Sequence, residues 1–227
     1  MEKCNWYKCV LFDMDGTLVD SYEGIYHAYR WTMEQMGRDF DGDNFVRRAI
    51  GAPLIWVFQN LCGMEQSEAE RAVAQYRSYY AKKGKYQVRV YDGIKGTLGK
   101  LKRSGCYLGA ATLKKETFAN EMLLELGLRS YFDVVCGMDE DDCLTKVDLI
   151  RRCMQAAKSS REETILVGDS EFDADGARKA GITFLAVTYG FGFQDQKKLK
   201  ECGVSMVAET AAEIADLLCG AGKETGE

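Results

Sequence analysis

Short apolar runs and helical patterns alternate along most of this 227-residue chain. The runs at residues 7–12 (YKCVLF), 106–112 (CYLGAAT), 132–136 (FDVVC), 164–167 (TILV) and 182–187 (ITFLAV) are too short for helices and carry little polarity. That is the pattern of strands buried on both faces. Residues 97–103, 116–126, 144–157 and 173–180 have helical spacing between them, and Gly127 is placed as a left-handed cap. A weaker strand at 204–207 and a helix at 211–218 close the series, and residues 220–227, rich in Gly and charge, read as a frayed tail. Such alternation predicts an α/β fold with a doubly wound parallel sheet, a Rossmann-like core with right-handed crossovers.

One segment breaks the alternation. Nothing between residues 21 and 86 reads as strand; helices are expected at 24–36, 45–50, 54–61 and 67–82, with the only proline, Pro53, between two of them. A small α-helical domain is therefore expected after the first strand, with the sheet resuming near Tyr91. The core is residues 1–20 and 87–227, and the helical domain is 21–86.

Composition narrows the functions open to this fold. With 30 Lys+Arg against 35 Asp+Glu the net charge is −5, which argues against general nucleic-acid binding, where phosphates are neutralised by Lys and Arg. The single His, His27, rules out a His-rich zinc site. It sits among Tyr22, Tyr26, Tyr29 and Trp31, with Met33 and Met36 beyond, and reads with them as packing. The nine Cys are odd in number, scattered and without a C-x-x-C pair, as expected for reduced thiols of a cytoplasmic protein. The polar opening and short first apolar run do not make a signal peptide, and no run approaches the roughly 20 residues of a membrane span.

Chemistry concentrates where the strands end. The first run stops at Asp13-Met14-Asp15-Gly16-Thr17-Leu18. Two acids at the carboxyl end of a buried strand are costly unless something binds them, and that end of an open α/β sheet is where ligands sit. By itself this motif is equally a turn, a metal loop or an enzyme site. Three further positions add to it: Thr112 at the end of the second run, Lys146 at the start of the helix after the third, and Gly168-Asp169-Ser170-Glu171-Phe172-Asp173 after the fourth. A carboxylate can attack phosphorus, and a hydroxyl, an ammonium and a cation can stabilise charge on the transferred group. Carboxylates without His or Cys favour a hard cation, and Mg²⁺ is the usual one beside phosphates.

These four motifs, in this order, resemble those of the haloacid dehalogenase superfamily, on its phosphoglycolate-phosphatase-like side. The helical insertion resembles its cap, Gly51-Ala52-Pro53-Leu54 a cap loop, and Val90-Tyr91-Asp92-Gly93 the return to the core. The resemblance spans about residues 7–218. It implies a Mg²⁺-dependent phosphatase acting on a small phosphorylated metabolite of phosphoglycolate, nucleotide or pyrophosphate type, as a monomer or homodimer, with no nucleic-acid or membrane partner. It further implies Asp13 as nucleophile, Asp15 as acid and base, Thr112 and Lys146 on the phosphoryl oxygens, and metal ligation by Asp13, the Asp15 carbonyl, Asp169 and Asp173. Asp15 disfavours dehalogenation, because the dehalogenases lack it. Leu113 departs from the family, where a small or amide residue usually follows the hydroxyl, and Lys114 fits relatives with T-x-K and is expected to face the leaving group.

Arg47 and Arg48 are weighed as anion-binding residues against a solvated helix face. Asp20-Ser21 reads as a helix cap, and the acidic run at 139–142 as a solvated loop. The alternatives are a phosphomutase of the β-phosphoglucomutase type, which shares the core residues, and a non-catalytic phosphoacceptor or binding module.

Overall fold

The computed structural model describes residues 7–139, 143–193 and 195–219. The first strand, β1 (Cys9–Phe12), is followed by the two-residue β2 (Val19–Asp20) and four helices: α1 (Tyr22–Gln35), α2 (Gly42–Ala49), α3 (Leu54–Asn60) and α4 (Gln66–Lys82). A 3-10 turn and β3 (Arg89–Val90) return the chain to the core. The core then runs α5 (Ile94–Arg103), β4 (Tyr107–Lys115), α6 (Glu116–Glu125), β5 (Val134–Met138), α7 (Lys146–Ala157), β6 (Thr164–Gly168), α8 (Glu171–Ala180), β7 (Thr183–Val187), α9 (Gln196–Glu201), β8 (Met206–Ala208) and α10 (Ala211–Cys219). Six strands form one parallel sheet in the order β5-β4-β1-β6-β7-β8. The chain winds outward from β1 first to one side and then to the other, so the crevice of this doubly wound fold opens where β1 meets β4 and β6.

Every residue of β1 is buried, and its alternate side chains enter two different cores. Val10 and Phe12 pack with Leu98, Leu101, Leu123 and Ile214, whereas Cys9 and Leu11 pack with Leu149, Ile150, Cys153 and Ala177. Coverage on both faces is the reason the strand reads as an unbroken apolar run. Gly127 follows α6 with φ +67°, the left-handed cap expected from its position.

Two readings need correction. The sheet does not resume near Tyr91: Arg89–Val90 pairs antiparallel with Val19–Asp20 in a separate ribbon, and the main sheet resumes at Tyr107. A two-residue strand is too short to show a period. The short α9 was also missed; it has Lys at 197, 198 and 200, only Leu199 buried, and an Asp195 side chain that caps Lys198 N–H at 2.7 Å. Among the described residues, Cys9, Cys62, Cys106, Cys136, Cys143, Cys153, Cys202 and Cys219 form no disulfide with one another. Cys4, residues 140–142 of the acidic run and the tail from 220 lie outside the described residues. Among the described residues no helix is long and apolar enough to cross a membrane.

The helical insertion has one close approach that helix propensity does not predict. A Cβ on Gly24 of α1 would lie 2.1 Å from the carbonyl oxygen of Gly84. Ala exceeds Gly by about 1 kcal/mol in an unhindered helix. The collision reverses that sign, and Gly24→Ala is expected to destabilise the protein by about 1–3 kcal/mol, read as a lower urea midpoint. A raised midpoint would contradict this packing.

Candidate active site

Asp13 stands directly after β1, buried, with its backbone N–H donated to the Val167 carbonyl at 2.9 Å. Lys146, the first residue of α7, is also buried and sends its Nζ to Asp13 Oδ1, Asp173 Oδ1 and the Ala111 carbonyl, each at 2.6 Å. Thr145 caps α7 through a capping box with Asp148, which fixes where that helix, and so Lys146, begins. Ser170 and Asp173 form a second capping box at the start of α8. There Asp173 Oδ2 accepts from Ser170 Oγ at 2.6 Å while its other oxygen stays on Lys146.

Asp169 follows β6 and accepts, on Oδ2, the backbone N–H groups of Phe191 (2.7 Å) and Gly192 (3.1 Å). The loop after β7 that supplies them passes so close that a Cβ on Gly190 would lie 2.3 Å from the Gly16 carbonyl oxygen. Gly16 has φ +84°, and a Cβ there would be 2.2 Å from Asp169 Oδ2. The turn after Asp15 therefore needs glycine both for its backbone and for its approach to Asp169.

Asp13, Asp169 and Asp173 each offer a carboxylate oxygen, and these oxygens lie within 4.8 Å of one another. Asp13 Oδ2 and Asp169 Oδ1 have no hydrogen-bond partner among the described residues. An all-oxygen donor set with two such oxygens fits a hard divalent cation. The Asp15 side chain is not in this cluster. Its Oδ1 accepts from Ser21 Oγ at 2.5 Å, and its Oδ2 lies 3.0 Å from Lys114 Nζ.

The expected core residues thus meet in one place, and all but Asp169 line a cavity beneath the helical insertion. Thr112 is buried in β4 and its Oγ1 accepts the Lys114 N–H at 3.2 Å, which leaves its own hydrogen to donate. Lys114 also reaches the Tyr80 hydroxyl at 2.7 Å and lies 4.3 Å from the centre of that ring, so α4 contacts it directly. Arg47 and Arg48 are exposed on α2, whose Phe45, Val46 and Ala49 turn inward, and neither lines the cavity. The arginine that does is Arg77 of α4. His27 packs edge-on against Tyr26 and reaches the Gln87 side-chain amide, away from the cavity.

Sequence reasoning missed three contributors. Ser21 looked like a cap for α1, yet its hydroxyl makes no cap bond and holds Asp15 instead. Tyr80 carried no local signal. The Phe191–Gly192 turn could have been suspected from Gly190 and Gly192 directly after a strand.

A family model described as haloacid dehalogenase-like hydrolase matches residues 10–187. Over 191 residues the chain is 33% identical to a 5'-nucleotidase of Pseudomonas aeruginosa, covering 84% of this chain and 86% of that one. It is 30% identical over 210 residues to tyrosine-protein kinase PtkA of Mycobacterium tuberculosis, covering 92% and 72%. The solved structure of a predicted phosphatase from Clostridium acetobutylicum superposes with a TM-score of 0.88 at 33% identity, covering 93% of this chain and 97% of that chain.

The charges at the site do not balance among themselves. Burial alone would favour the neutral Lys146 amine, but Asp13 and Asp173 more than offset this and hold it as ammonium. One ammonium cannot match three buried carboxylates. Burial pushes Asp13 well above the usual carboxylate range, with Lys146 pulling against it. Burial, reinforced by Asp173, pushes Asp169 up to about 7 despite its two backbone hydrogen bonds. Between the ordinary aspartate value of 3.8 and about 7, Asp169 is ionised in the unfolded chain but keeps its proton in the folded one. The folded state then binds more protons, so rising pH removes stability across this window. Urea unfolding of metal-free protein is expected to show that decline, and Asp169→Asn to make it shallower by about 2–4 kcal/mol. Equal slopes for the two proteins would contradict the burial assigned to Asp169.

Proposed function

The chain belongs to the haloacid dehalogenase-like hydrolases, and we propose that within them it is a Mg²⁺-dependent phosphatase that hydrolyses a small phosphomonoester through an aspartyl-phosphate. Asp13 carries this reading. It lines the cavity, Lys146 holds one of its oxygens, and the other has no hydrogen-bond partner among the described residues.

That second oxygen, Oδ2, attacks phosphorus, forming an acyl phosphate as the bond to the leaving oxygen breaks. Asp15 gives its proton to the leaving oxygen, which departs as an alcohol. It then takes a proton from the water that attacks the same phosphorus, releasing phosphate and restoring the Asp13 carboxylate. The Thr112 hydroxyl donates to the phosphoryl oxygens, where charge develops. The Lys146 ammonium, whose hydrogens are held by Asp13, Asp173 and the Ala111 carbonyl, offsets that charge and reaches a phosphoryl oxygen by exchanging one of these partners. Asp13 and Asp169 would hold Mg²⁺, with the Asp15 carbonyl and Asp173 in support, and the ion supplies charge that offsets the phosphoryl oxygens. Ser21 and Lys114 hold the two oxygens of Asp15, one each, and so set the direction from which it reaches the leaving group.

The relatives support hydrolysis of a phosphate ester or anhydride. Besides the 5'-nucleotidase they include a pyrophosphatase from Halalkalibacterium halodurans and a phosphoglycolate phosphatase from Pseudomonas syringae.

Phosphate release from p-nitrophenyl phosphate tests the reading. Wild type is expected to turn over with Mg²⁺, to stop in EDTA and to recover when Mg²⁺ is restored. Asp13→Asn should lose at least a thousandfold in kcat while still folding, checked by an unchanged circular dichroism spectrum. Activity in Asp13→Asn near that of wild type would overturn the nucleophile, and full activity in EDTA would overturn the metal. Transfer of phosphate to an added alcohol or protein without release to water would replace hydrolysis by phosphotransfer. Lys114→Met is expected to lower kcat more than it raises KM, because Lys114 acts through Asp15; a change confined to KM would return Lys114 to direct substrate binding.

A further inference from the structure

The cavity over Asp13 encloses about 480 Å³, within the roughly 300–1,000 Å³ of sites that enclose drug-sized ligands. Its walls include Ile25, Ile50, Leu54 and Phe118, apolar side chains carried by the helical insertion and by α6. The cations on the lining are all engaged. Lys146 holds Asp13 and Asp173, Lys114 holds Asp15, and Lys179 pairs with Asp175 at 2.6 Å. Arg77 and Lys115 have partners of their own.

Besides Asp13 Oδ2, the lining carries neutral polar groups without a protein partner among the described residues. Tyr29 and Tyr76 are 2% and 7% exposed, and neither phenol has a hydrogen-bond partner among the described residues. Burial pushes both phenols far above their usual range, so each presents an O–H and not an oxyanion. Both residues line the cavity, so each phenol can donate to a ligand group placed there.

This lining discriminates between the substrates that the chemistry of Asp13 would accept. The carboxylate of phosphoglycolate, or the second phosphate of pyrophosphate, would bring another anion out of water to a wall whose cations are already committed. To offset that desolvation the anion has to compete with the partners these cations already hold. A flat neutral ring instead covers the apolar walls, gaining about 25 cal/mol per Å² removed from water, and its polar edge meets the phenols. Building on the phosphatase reading, we propose that the substrate is the phosphomonoester of a neutral, flat-ringed alcohol of nucleoside size, its ring against the apolar wall and its polar edge on Tyr29 and Tyr76. The phosphorus–oxygen bond breaks on the alcohol side, and the alcohol leaves with the proton from Asp15.

The test compares kcat/KM for nucleoside 5'-monophosphates, phosphoglycolate, pyrophosphate, glucose 6-phosphate and p-nitrophenyl phosphate, for wild type and Tyr76→Phe. At least one nucleoside 5'-monophosphate is expected to exceed phosphoglycolate, pyrophosphate and glucose 6-phosphate by tenfold or more. Tyr76→Phe should raise KM for that nucleotide several-fold and raise KM for phosphoglycolate less. If p-nitrophenyl phosphate is hydrolysed but an anionic or polyol substrate is preferred, the substrate class is overturned and the phosphatase reading stands. An equal effect of Tyr76→Phe on every KM also overturns the assignment of the phenol. Failure to release phosphate from any compound overturns the phosphatase reading and the substrate class together.

Discussion

The Lys146 ammonium, 2.6 Å from two carboxylates and a carbonyl, joins four separate stretches of chain. Asp13 follows β1, Ala111 lies in β4, Asp173 belongs to the helix after β6, and Lys146 itself opens the helix after β5. A buried lysine is tolerable only with such partners, and the buried aspartates need it equally. Its aliphatic stem is packed as tightly as its head is bonded: a Cβ on Gly176 of α8 would lie 2.7 Å from Lys146 Cγ. The strand ends, the start of α7 and the passage of α8 are therefore set by one side chain. Because a single positive charge faces three carboxylates, the arrangement is incomplete without protons or a cation, and that deficit is the basis of its chemistry.

A second lysine does for the acid and base what Lys146 does for the nucleophile. Lys114 lies between Asp15 and Tyr80, while Ser21 takes the other Asp15 oxygen. Ser21 stands where the chain enters the helical insertion, and Tyr80 is in its last helix. The proton-transfer group is thus held at the seam between the two parts of the molecule. A shift of α4 over the core would carry Tyr80 with it and alter the partners of Lys114, linking the position of the helices to that of Asp15. Trp56 of α3 packs edge-on against Phe172 of α8, with ring centres 5.8 Å apart, a second contact between the insertion and the core.

The sheet and its four chemical positions were legible because buried parallel strands are apolar throughout, so each polar residue at a strand end interrupts a pattern. Asp13 and Asp169 directly follow strands and Thr112 ends the apolar run of β4, whereas Lys146 opens the helix after β5. What was not legible depends on contacts between distant residues. Tyr80 meets Lys114 across 34 positions and Phe191 meets Asp169 across 22, and no local period records either. Ser21 shows a local rule overridden: serine before a helix is a favoured cap, but here its hydroxyl is turned to donate to the half-buried Asp15 carboxylate and accepts no cap bond. The aromatic residues read as packing are largely that, since Tyr29 meets Phe45, Phe58 and Tyr76 within the insertion. Only the cavity distinguishes the phenol end of such a residue from its ring. Arg47 and Arg48 attracted notice by their charge, but the turn of α2 faces them outward, while Arg77 lies on the face of α4 that meets the cavity.

Reductive trapping tests the central claim, that Asp13 forms a covalent bond to phosphorus. Protein mixed with Mg²⁺ and p-nitrophenyl phosphate, quenched with borohydride and digested, is read by peptide mass spectrometry. The account predicts reduction of the acyl phosphate at position 13, dependent on substrate, with Asp15, Asp169 and Asp173 unchanged. Substrate-dependent reduction at any of those three, or turnover with none at Asp13, would contradict it.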